Sequence, residues 1–182
     1  MTKRQVLFIH GGGGEAFEGD RAQVRSLREA LGPDFEVEYP EMPDRAAPQY
    51  GAWSDRISRE LSASNGEVIL VGHSLGASIL LKHLSEEPVE KPIAGVFLIA
   101  TPYWGTTDWE VGEFGLREDF PAALPEGVPI FLYHSRDDEV VPFAHLALYA
   151  GRLPRANVRE FDGRGHQLGD DLSEVAEDIA RL

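Results

Sequence analysis

Ser74 is the residue of this chain whose surroundings best suit nucleophilic chemistry. It lies in the pentapeptide GHSLG at 72–76, which follows the apolar run 68–71 and leads into a second apolar stretch at 77–81. A G-x-S-x-G motif between a strand and a helix is typical of a nucleophile elbow, a sharp turn that exposes a serine hydroxyl above a parallel sheet. The two glycines leave room for this strained turn. Ser74 is therefore the predicted nucleophile.

The pentapeptide alone is weak evidence in a chain with 19 glycines, because short motifs recur by chance. Ser74 could also be the N-cap of a helix that follows a strand. A reactive serine needs a base, a carboxylate that orients the base, and N–H donors for the oxyanion. In a parallel sheet, each of these groups should lie beyond the carboxyl end of a strand.

His166 is the predicted base. It ends the loop 162–166, which follows the last apolar run and precedes the last amphipathic segment. His73 is an unsuitable base, because adjacent side chains on a sharp turn diverge. The remaining histidines have structural explanations, and His83 and His145 are expected in solvated or capping roles on helices.

Three consecutive carboxylates, at 137–139, follow the fifth apolar run and are candidates to orient the base. Position does not rank Asp137 against Asp138, and at least two of the three should be solvated surface charges. Asp108, after the fourth run, is a further candidate for the same role.

Four glycines at 11–14 follow the first apolar run. Backbone N–H groups in such a loop can face developing negative charge, so Gly12 is predicted to form an oxyanion hole with the N–H of Leu75.

The same glycines also fit the dinucleotide-binding pattern G-x-G-x-x-G/A, with Glu36 or Glu38 about twenty residues further on. That fingerprint opens its helix within the motif, whereas residues 17–20 are expected to postpone the first helix, with Asp20 as its N-cap. The nucleotide-binding alternative is therefore disfavoured.

Apolar runs alternate with segments of helical spacing, which predicts a parallel sheet with helices on both faces. No linker divides the chain, so 1–182 is expected to form one domain. Only the segment 101–127 departs from the alternation, and it could hold a short helix or a flap but not a cap domain. The six apolar runs are 5–10, 35–39, 67–71, 95–100, 129–134 and 157–161.

Three aromatic residues follow strand ends and are expected near a substrate pocket, or packed against the sheet. They are Phe17, Tyr103 and Trp104.

Composition restricts the binding partners. The 182 residues include 31 acidic and 17 basic side chains, for a net charge of -14, which disfavours binding to nucleic acid or to a membrane surface. The absence of cysteine excludes disulfides and thiolate metal sites. The apolar run 6–9 is too short for a signal peptide or a membrane span, so a cytoplasmic location is expected.

Four motifs occur in the order HGGGG, GHSLG, DDEVVP and GRGH, and with them the chain resembles the α/β-hydrolase superfamily. Its short length is similar to that of the small serine hydrolases of the retinoblastoma-binding protein 9 family. The resemblance implies a three-layer fold with about six mainly parallel strands and no large cap domain. In that superfamily the acid heads a D-x-x-V-P-like turn, which 138–142 matches, so the resemblance selects Asp138.

The resemblance implies hydrolysis of an ester or related acyl bond of a small substrate through an acyl-enzyme, with no cofactor and no metal. The family name refers to a pocket protein bound through an L-x-C-x-E peptide, and a chain without cysteine cannot contain that peptide. A non-catalytic binding protein on the same fold is the alternative, because a fold does not determine a function.

Overall fold

The computed structural model describes residues 2–182 and contains one sheet of six strands, all paired in parallel. The strands are β1 (Arg4–Ile9), β2 (Phe35–Glu38), β3 (Val68–His73), β4 (Ile93–Ile99), β5 (Ile130–Ser135) and β6 (Asn157–Phe161). Their order in the sheet is β2-β1-β3-β4-β5-β6. The chain therefore runs outward from β1 to β2 and then returns to the other side of β1, which creates a switch point between β1 and β3.

Helices cover both faces of the sheet, as the alternating pattern predicts. One buried apolar cluster includes Trp53 and Leu80, and a second, on the other face, includes Leu27 and Val175. The helices are α1 (Ala16–Gly19), α2 (Arg21–Leu31), α3 (Tyr50–Ala63), α4 (Leu75–Glu86), α5 (Phe120–Ala123), α6 (Ala144–Arg152) and α7 (Ser173–Ala180). Helices α3, α4 and α6 pack on the face of the first cluster, and α2 and α7 on the face of the second, which makes three layers.

The irregular segment 101–127 holds the four-residue helix α5 and a 3₁₀ turn at Gly112–Phe114. Its aromatic side chains pack on one another, with the ring centroids of Trp104 and Phe114 5.2 Å apart. The segment is thus a short packed excursion after β4, as expected, and not a cap domain.

The expected delay of the first helix is wrong in part. The short helix α1 forms directly after the glycine loop, and α2 begins only at Arg21. The turn forms because the Gly19 and Asp20 N–H groups donate to the Glu15 and Ala16 carbonyls, at 2.8 and 2.9 Å, and apolar spacing does not reveal such local bonds. None of the helices in residues 2–182 combines the length and the apolarity needed to span a membrane.

Helix α4 approaches the sheet so closely that two glycines become necessary. A Cβ added to Gly76 would lie 2.3 Å from the His10 carbonyl oxygen and 2.4 Å from that of Ile9. A Cβ added to Gly72 would lie 2.6 Å from the Cα of Ala77. These neighbours are backbone atoms, which cannot move aside without distorting the main chain.

We expect Gly76→Ala to destabilise the protein by about 1–3 kcal/mol, because the methyl group would separate α4 from β1. Urea unfolding measures the change. Gly51→Ala is the matched control, since Gly51 is likewise the second residue of its helix but has no neighbour within 4 Å of an added Cβ. The control should be more stable than the wild type by about 0.5–1 kcal/mol, and equal destabilisation by both substitutions would contradict the explanation.

Candidate active site

Ser74 occupies the turn between β3 and α4 with φ at +52° and ψ at -123°, a strained conformation for a residue other than glycine. Its N–H donates to the Ile99 carbonyl at the end of β4, at 2.8 Å. Ser74 stands at the N-cap position of α4, but its side chain makes no capping hydrogen bond. Ser74 is partly exposed, and its hydroxyl is not used to cap the helix.

His166 and Asp138 meet above the carboxyl ends of β5 and β6. The His166 Nδ1 atom lies 2.9 Å from Asp138 Oδ2 and 3.1 Å from Oδ1, whereas Asp108 does not bond the ring. The Asp138 side chain is fully buried, and that of His166 is 10% exposed. Because a carboxylate only accepts, Nδ1 carries a proton, and in the neutral ring Nε2 then has the free lone pair.

Several donors converge on the buried Asp138 carboxylate. Its Oδ1 accepts the N–H groups of Val140 and Val141 at 2.8 Å each. His134 Nε2 lies 3.0 Å from Asp138 Oδ2 and also 3.0 Å from the Val141 carbonyl oxygen. Burial alone would raise the pKa of Asp138, but the hydrogen bonds from the two histidines and from Val141 outweigh it and hold the pKa far below its ordinary value. Asp138 is therefore an anion at neutral pH.

The two neighbouring carboxylates bind the backbone of the same loop. Asp137 Oδ1 accepts from the N–H groups of Arg164 and Gly165, both at 3.2 Å, and Glu139 Oε2 accepts from the His166 N–H at 3.2 Å. Both residues are exposed, as expected, but they are more than solvated charges. The run 137–139 holds the His166 loop at three points.

His166 also lies next to the nucleophile elbow. Its ring centroid is 4.7 Å from that of His73, the residue before Ser74. Within residues 2–182, neither Ser74 Oγ nor His166 Nε2 takes part in a hydrogen bond. The structure therefore brings the predicted acid and the predicted base together, with the His166 ring next to His73, and it shows no hydrogen bond between His166 and Ser74.

The glycine loop presents Gly12 to the elbow. Gly11 N–H donates to Asp20 Oδ2 at 2.9 Å, and Gly13 N–H donates to the Arg45 carbonyl at 2.8 Å. Across the described part of the chain, no backbone carbonyl takes the N–H groups of Gly12 or Leu75. A Cβ on Gly12 would lie only 2.5 Å from Leu75 Cδ2, so the two residues are adjacent. Two of the loop's donors are thus already used, which also disfavours a phosphate cradle.

The three predicted pocket residues have packing partners. The Phe17 ring stacks on Tyr39 at 4.7 Å, and Tyr103 meets Tyr149 at 4.9 Å. Trp104 Nε1 donates to a serine hydroxyl of α4, 3.1 Å away. Each ring is part-buried, and contact of any of them with a substrate stays a prediction.

The solvated or capping roles expected for His83 and His145 are wrong, because both side chains are buried. His83 Nδ1 lies 2.8 Å from the Ser54 hydroxyl, and His145 Nδ1 accepts the Tyr103 N–H at 2.8 Å. Each ring therefore has a polar partner in the core, a pairing that helical spacing alone does not reveal.

Sequence reasoning missed a second buried pair behind the elbow. His73 Nδ1 lies 2.8 Å from Asp20 Oδ2, and His73 Nε2 lies 3.0 Å from the carbonyl oxygen of His166. Asp20 precedes α2 as expected, but its side chain makes no capping bond, because it turns toward Gly11 and His73. The two residues are 53 positions apart, and no motif relates them.

Two clefts lie away from the elbow. One, of about 500 Å³, includes Pro92 just before β4, and the other, of about 540 Å³, includes Pro129 just before β5. Both are therefore at the amino ends of the strands, whereas Ser74 is at the carboxyl ends. Among residues 2–182, no group of three or more His, Cys, Asp or Glu side chains could hold a metal ion.

Solved structures of similar fold cover nearly the whole chain. The ydeN gene product of Bacillus subtilis superposes with a TM-score of 0.76, at 21% identity over 98% of both chains. A serine hydrolase involved in carbazole degradation, the CarC enzyme, superposes with a TM-score of 0.72, at 17% identity, over 99% of this chain and 89% of its own. The esterase domain of a Rhodothermus marinus protein superposes with a TM-score of 0.69, at 20% identity, over 100% of this chain and 87% of its own. The chain has the α/β-hydrolase fold.

Sequence comparison agrees with the fold. The YdeN protein of Bacillus subtilis (strain 168) is 26% identical over 177 residues, which cover 94% of this chain and 89% of that protein. The family profile for serine hydrolases matches residues 23–171, a span that includes Ser74, Asp138 and His166. The chain belongs to the serine hydrolase family.

We expect Asp138→Asn to lower the free energy of unfolding by about 3 kcal/mol at pH 7, because it removes a buried anion that several donors face. The folded pKa is depressed, so the stabilisation is present above the ordinary aspartate value near 3.8 and is lost as the pH falls toward the folded pKa. The difference in unfolding free energy between Asp138→Asn and the wild type should therefore be about 1 kcal/mol smaller at pH 3 than at pH 7.

Urea unfolding at the two pH values measures this difference. Asp162→Asn is the control, since that carboxylate lies in the neighbouring His166 loop and binds Arg136 but is 77% exposed. Its effect should stay within about 0.5 kcal/mol at both pH values. If the difference in unfolding free energy between Asp138→Asn and the wild type is the same at both pH values, the Asp138 carboxylate is not held as an anion.

Proposed function

We propose that this serine hydrolase cleaves an ester bond of a small acyl substrate, with Ser74 as nucleophile, His166 as base and Asp138 as the group that orients the base. The observation that carries the proposal is the bond from His166 Nδ1 to the buried Asp138 carboxylate, at 2.9 Å. It leaves Nε2 free to accept a proton next to a serine on a strained turn.

In the proposed acylation step, Ser74 Oγ attacks the ester carbonyl carbon while its proton passes to His166 Nε2. The buried Asp138 anion stabilises the imidazolium that forms. The N–H groups of Gly12 and Leu75 receive the negative charge on the carbonyl oxygen. The tetrahedral adduct collapses, the C–O bond of the ester breaks, and His166 returns the proton to the departing alcohol.

Deacylation repeats the sequence with water. His166 Nε2 accepts a proton from the water as it attacks the acyl carbon, and Ser74 leaves with that proton as the carboxylic acid departs. The base must come within hydrogen-bond reach of Ser74 during the reaction, and such contacts commonly tighten only when a substrate is bound.

The preference for esters is part of the proposal. It is supported by the likeness to an esterase domain from Rhodothermus marinus and by the sequence resemblance to the small hydrolases of the retinoblastoma-binding protein 9 family. We infer a cytoplasmic enzyme that acts without a cofactor on a small molecule, and not on nucleic acid or at a membrane, because the net charge of -14 disfavours anionic partners.

We expect a fluorophosphonate probe to label the wild-type protein, and Ser74→Ala to abolish both the labelling and the hydrolysis of p-nitrophenyl esters, with kcat/KM falling by about 10⁴-fold or more. Ser62→Ala, at an exposed serine of α3, is the control and should behave as wild type. A series of acyl chain lengths then defines the preferred substrate. Equal labelling of Ser74→Ala would favour the non-catalytic binding protein.

We expect Gly12→Ala to lower kcat by up to about 10²-fold with little change in KM, because the added methyl group would lie 2.5 Å from Leu75 Cδ2, so that the Leu75 side chain must turn away or the Gly12 N–H, a proposed oxyanion donor, must shift. Steady-state kinetics on the same ester separate kcat from KM. Gly14→Ala, in the same loop, is the control, since its added Cβ would meet only Ala46 Cβ at an ordinary 3.9 Å. Loss of activity in both variants would argue against a specific role for Gly12.

A further inference from the structure

An ion pair is buried directly behind the nucleophile elbow. The side chains of Asp20 and His73 are 1% and 2% exposed, and Asp20 Oδ2 lies 2.8 Å from His73 Nδ1. Neither side chain has a role in the chemistry proposed above. A buried charged pair is costly to form, so its bonds to the surrounding backbone matter.

The hydrogen-bond partners determine the charge of the His73 ring. Nδ1 faces the Asp20 carboxylate, and Nε2 faces the carbonyl oxygen of His166, and both of these partners can only accept. Both ring nitrogens must therefore donate, which requires the imidazolium. Burial opposes that charge, but the Asp20 carboxylate outweighs it, and the pKa of His73 lies above its ordinary value. Burial likewise opposes the anion of Asp20, whose pKa is nevertheless lowered, chiefly by His73.

The pair joins two loops that belong to different parts of the proposed site. Asp20 Oδ2 accepts the N–H of Gly11, the residue before the proposed oxyanion donor Gly12. His73 Nε2 donates to the carbonyl of His166, the proposed base. Since His73 is also bonded covalently to Ser74, one continuous chain of bonds connects the oxyanion loop, the nucleophile and the base.

We propose that Asp20 and His73 are a positioning pair, which sets the oxyanion loop and the His166 loop at fixed places relative to Ser74. The proposal rests on the function proposed above and adds two residues to it. The pair contacts neither substrate nor the reacting atoms. It acts through the Gly11 N–H and the His166 carbonyl.

The charge of the pair is essential to this role. With Asn at position 20, the His73 ring loses the partner that keeps it charged, and a neutral imidazole has only one N–H. If the amide oxygen of the new side chain faces Nδ1, the Nε2 lone pair faces the His166 carbonyl; if the NH2 group faces Nδ1, that group also faces the Gly11 N–H. In either case one of the two loops loses its support. Misplacement of reacting groups by about 1 Å can reduce a rate about 10²-fold.

The protonation state is tested first on the wild-type protein, without any substitution. Nitrogen-15 NMR of the imidazole rings at pH 7.5 should show protons on both Nδ1 and Nε2 of His73, and Asp20→Asn should remove one of them. A single protonated nitrogen on His73 in the wild type would overturn the proposal. This measurement does not depend on catalysis, so it separates failure of the pair from failure of the proposed hydrolase function.

Kinetics then test the positioning role. Asp20→Asn, His73→Gln and the double variant should each lower kcat by about 10- to 100-fold with KM little changed, since the groups that bind substrate are still present. The double variant should be no slower than the slower single variant, because the two residues act through one chain of bonds. The rate of fluorophosphonate labelling of Ser74 should fall in parallel with kcat.

Asp178→Asn is the matched control for a merely structural effect. Asp178 is also a buried acid, and it accepts the Tyr133 hydroxyl at 2.8 Å on α7, away from the elbow. It should lower the Tm while leaving kcat unchanged. The proposal fails if Asp20→Asn retains the wild-type kcat, or if the control lowers kcat as much as Asp20→Asn does.

Discussion

The close approach of helix α4 to strand β1 is the constraint on which the arrangement above the sheet depends. Gly76 places the first turn of α4 against the carbonyls of Ile9 and His10, where any side chain would collide with backbone. The chain must therefore turn sharply after β3, and Ser74 takes a positive φ as a consequence. The same approach puts Leu75 beside Gly12, because the glycine loop follows β1 directly.

Buried negative charge organises the other half of the site. Asp138 is an anion because two histidines and two backbone N–H groups face it, and Asp20 is an anion because His73 and Gly11 face it. Each carboxylate is paired with an imidazole, so neither is left as an isolated charge in the core. One pair holds the His166 ring, and the other holds the carbonyl of the same residue. The His166 loop is consequently held from two sides.

The sequence could predict the parallel sheet and the strand ends at which Ser74, His166 and the acidic run appear. These features depend on local pattern, namely alternating apolar runs and short motifs that each describe one loop. Spacing could not choose among residues 137–139, because all three carboxylates face the His166 loop. The path of the backbone after β5 decides which of the three carboxylates reaches the His166 ring.

The histidines show the same contrast between what local sequence patterns predict and what the tertiary structure decides. The sequence by itself determined the order of the strands along the chain, the small residues at the elbow and the presence of an acid and a histidine in the last two loops. Only the tertiary structure decided that Asp20 pairs with His73, and that His83 and His145 are buried. Such pairs join residues far apart in sequence, and their energy depends on burial and on distances of about 3 Å. Neither quantity exists until the sheet and its two helical layers are assembled.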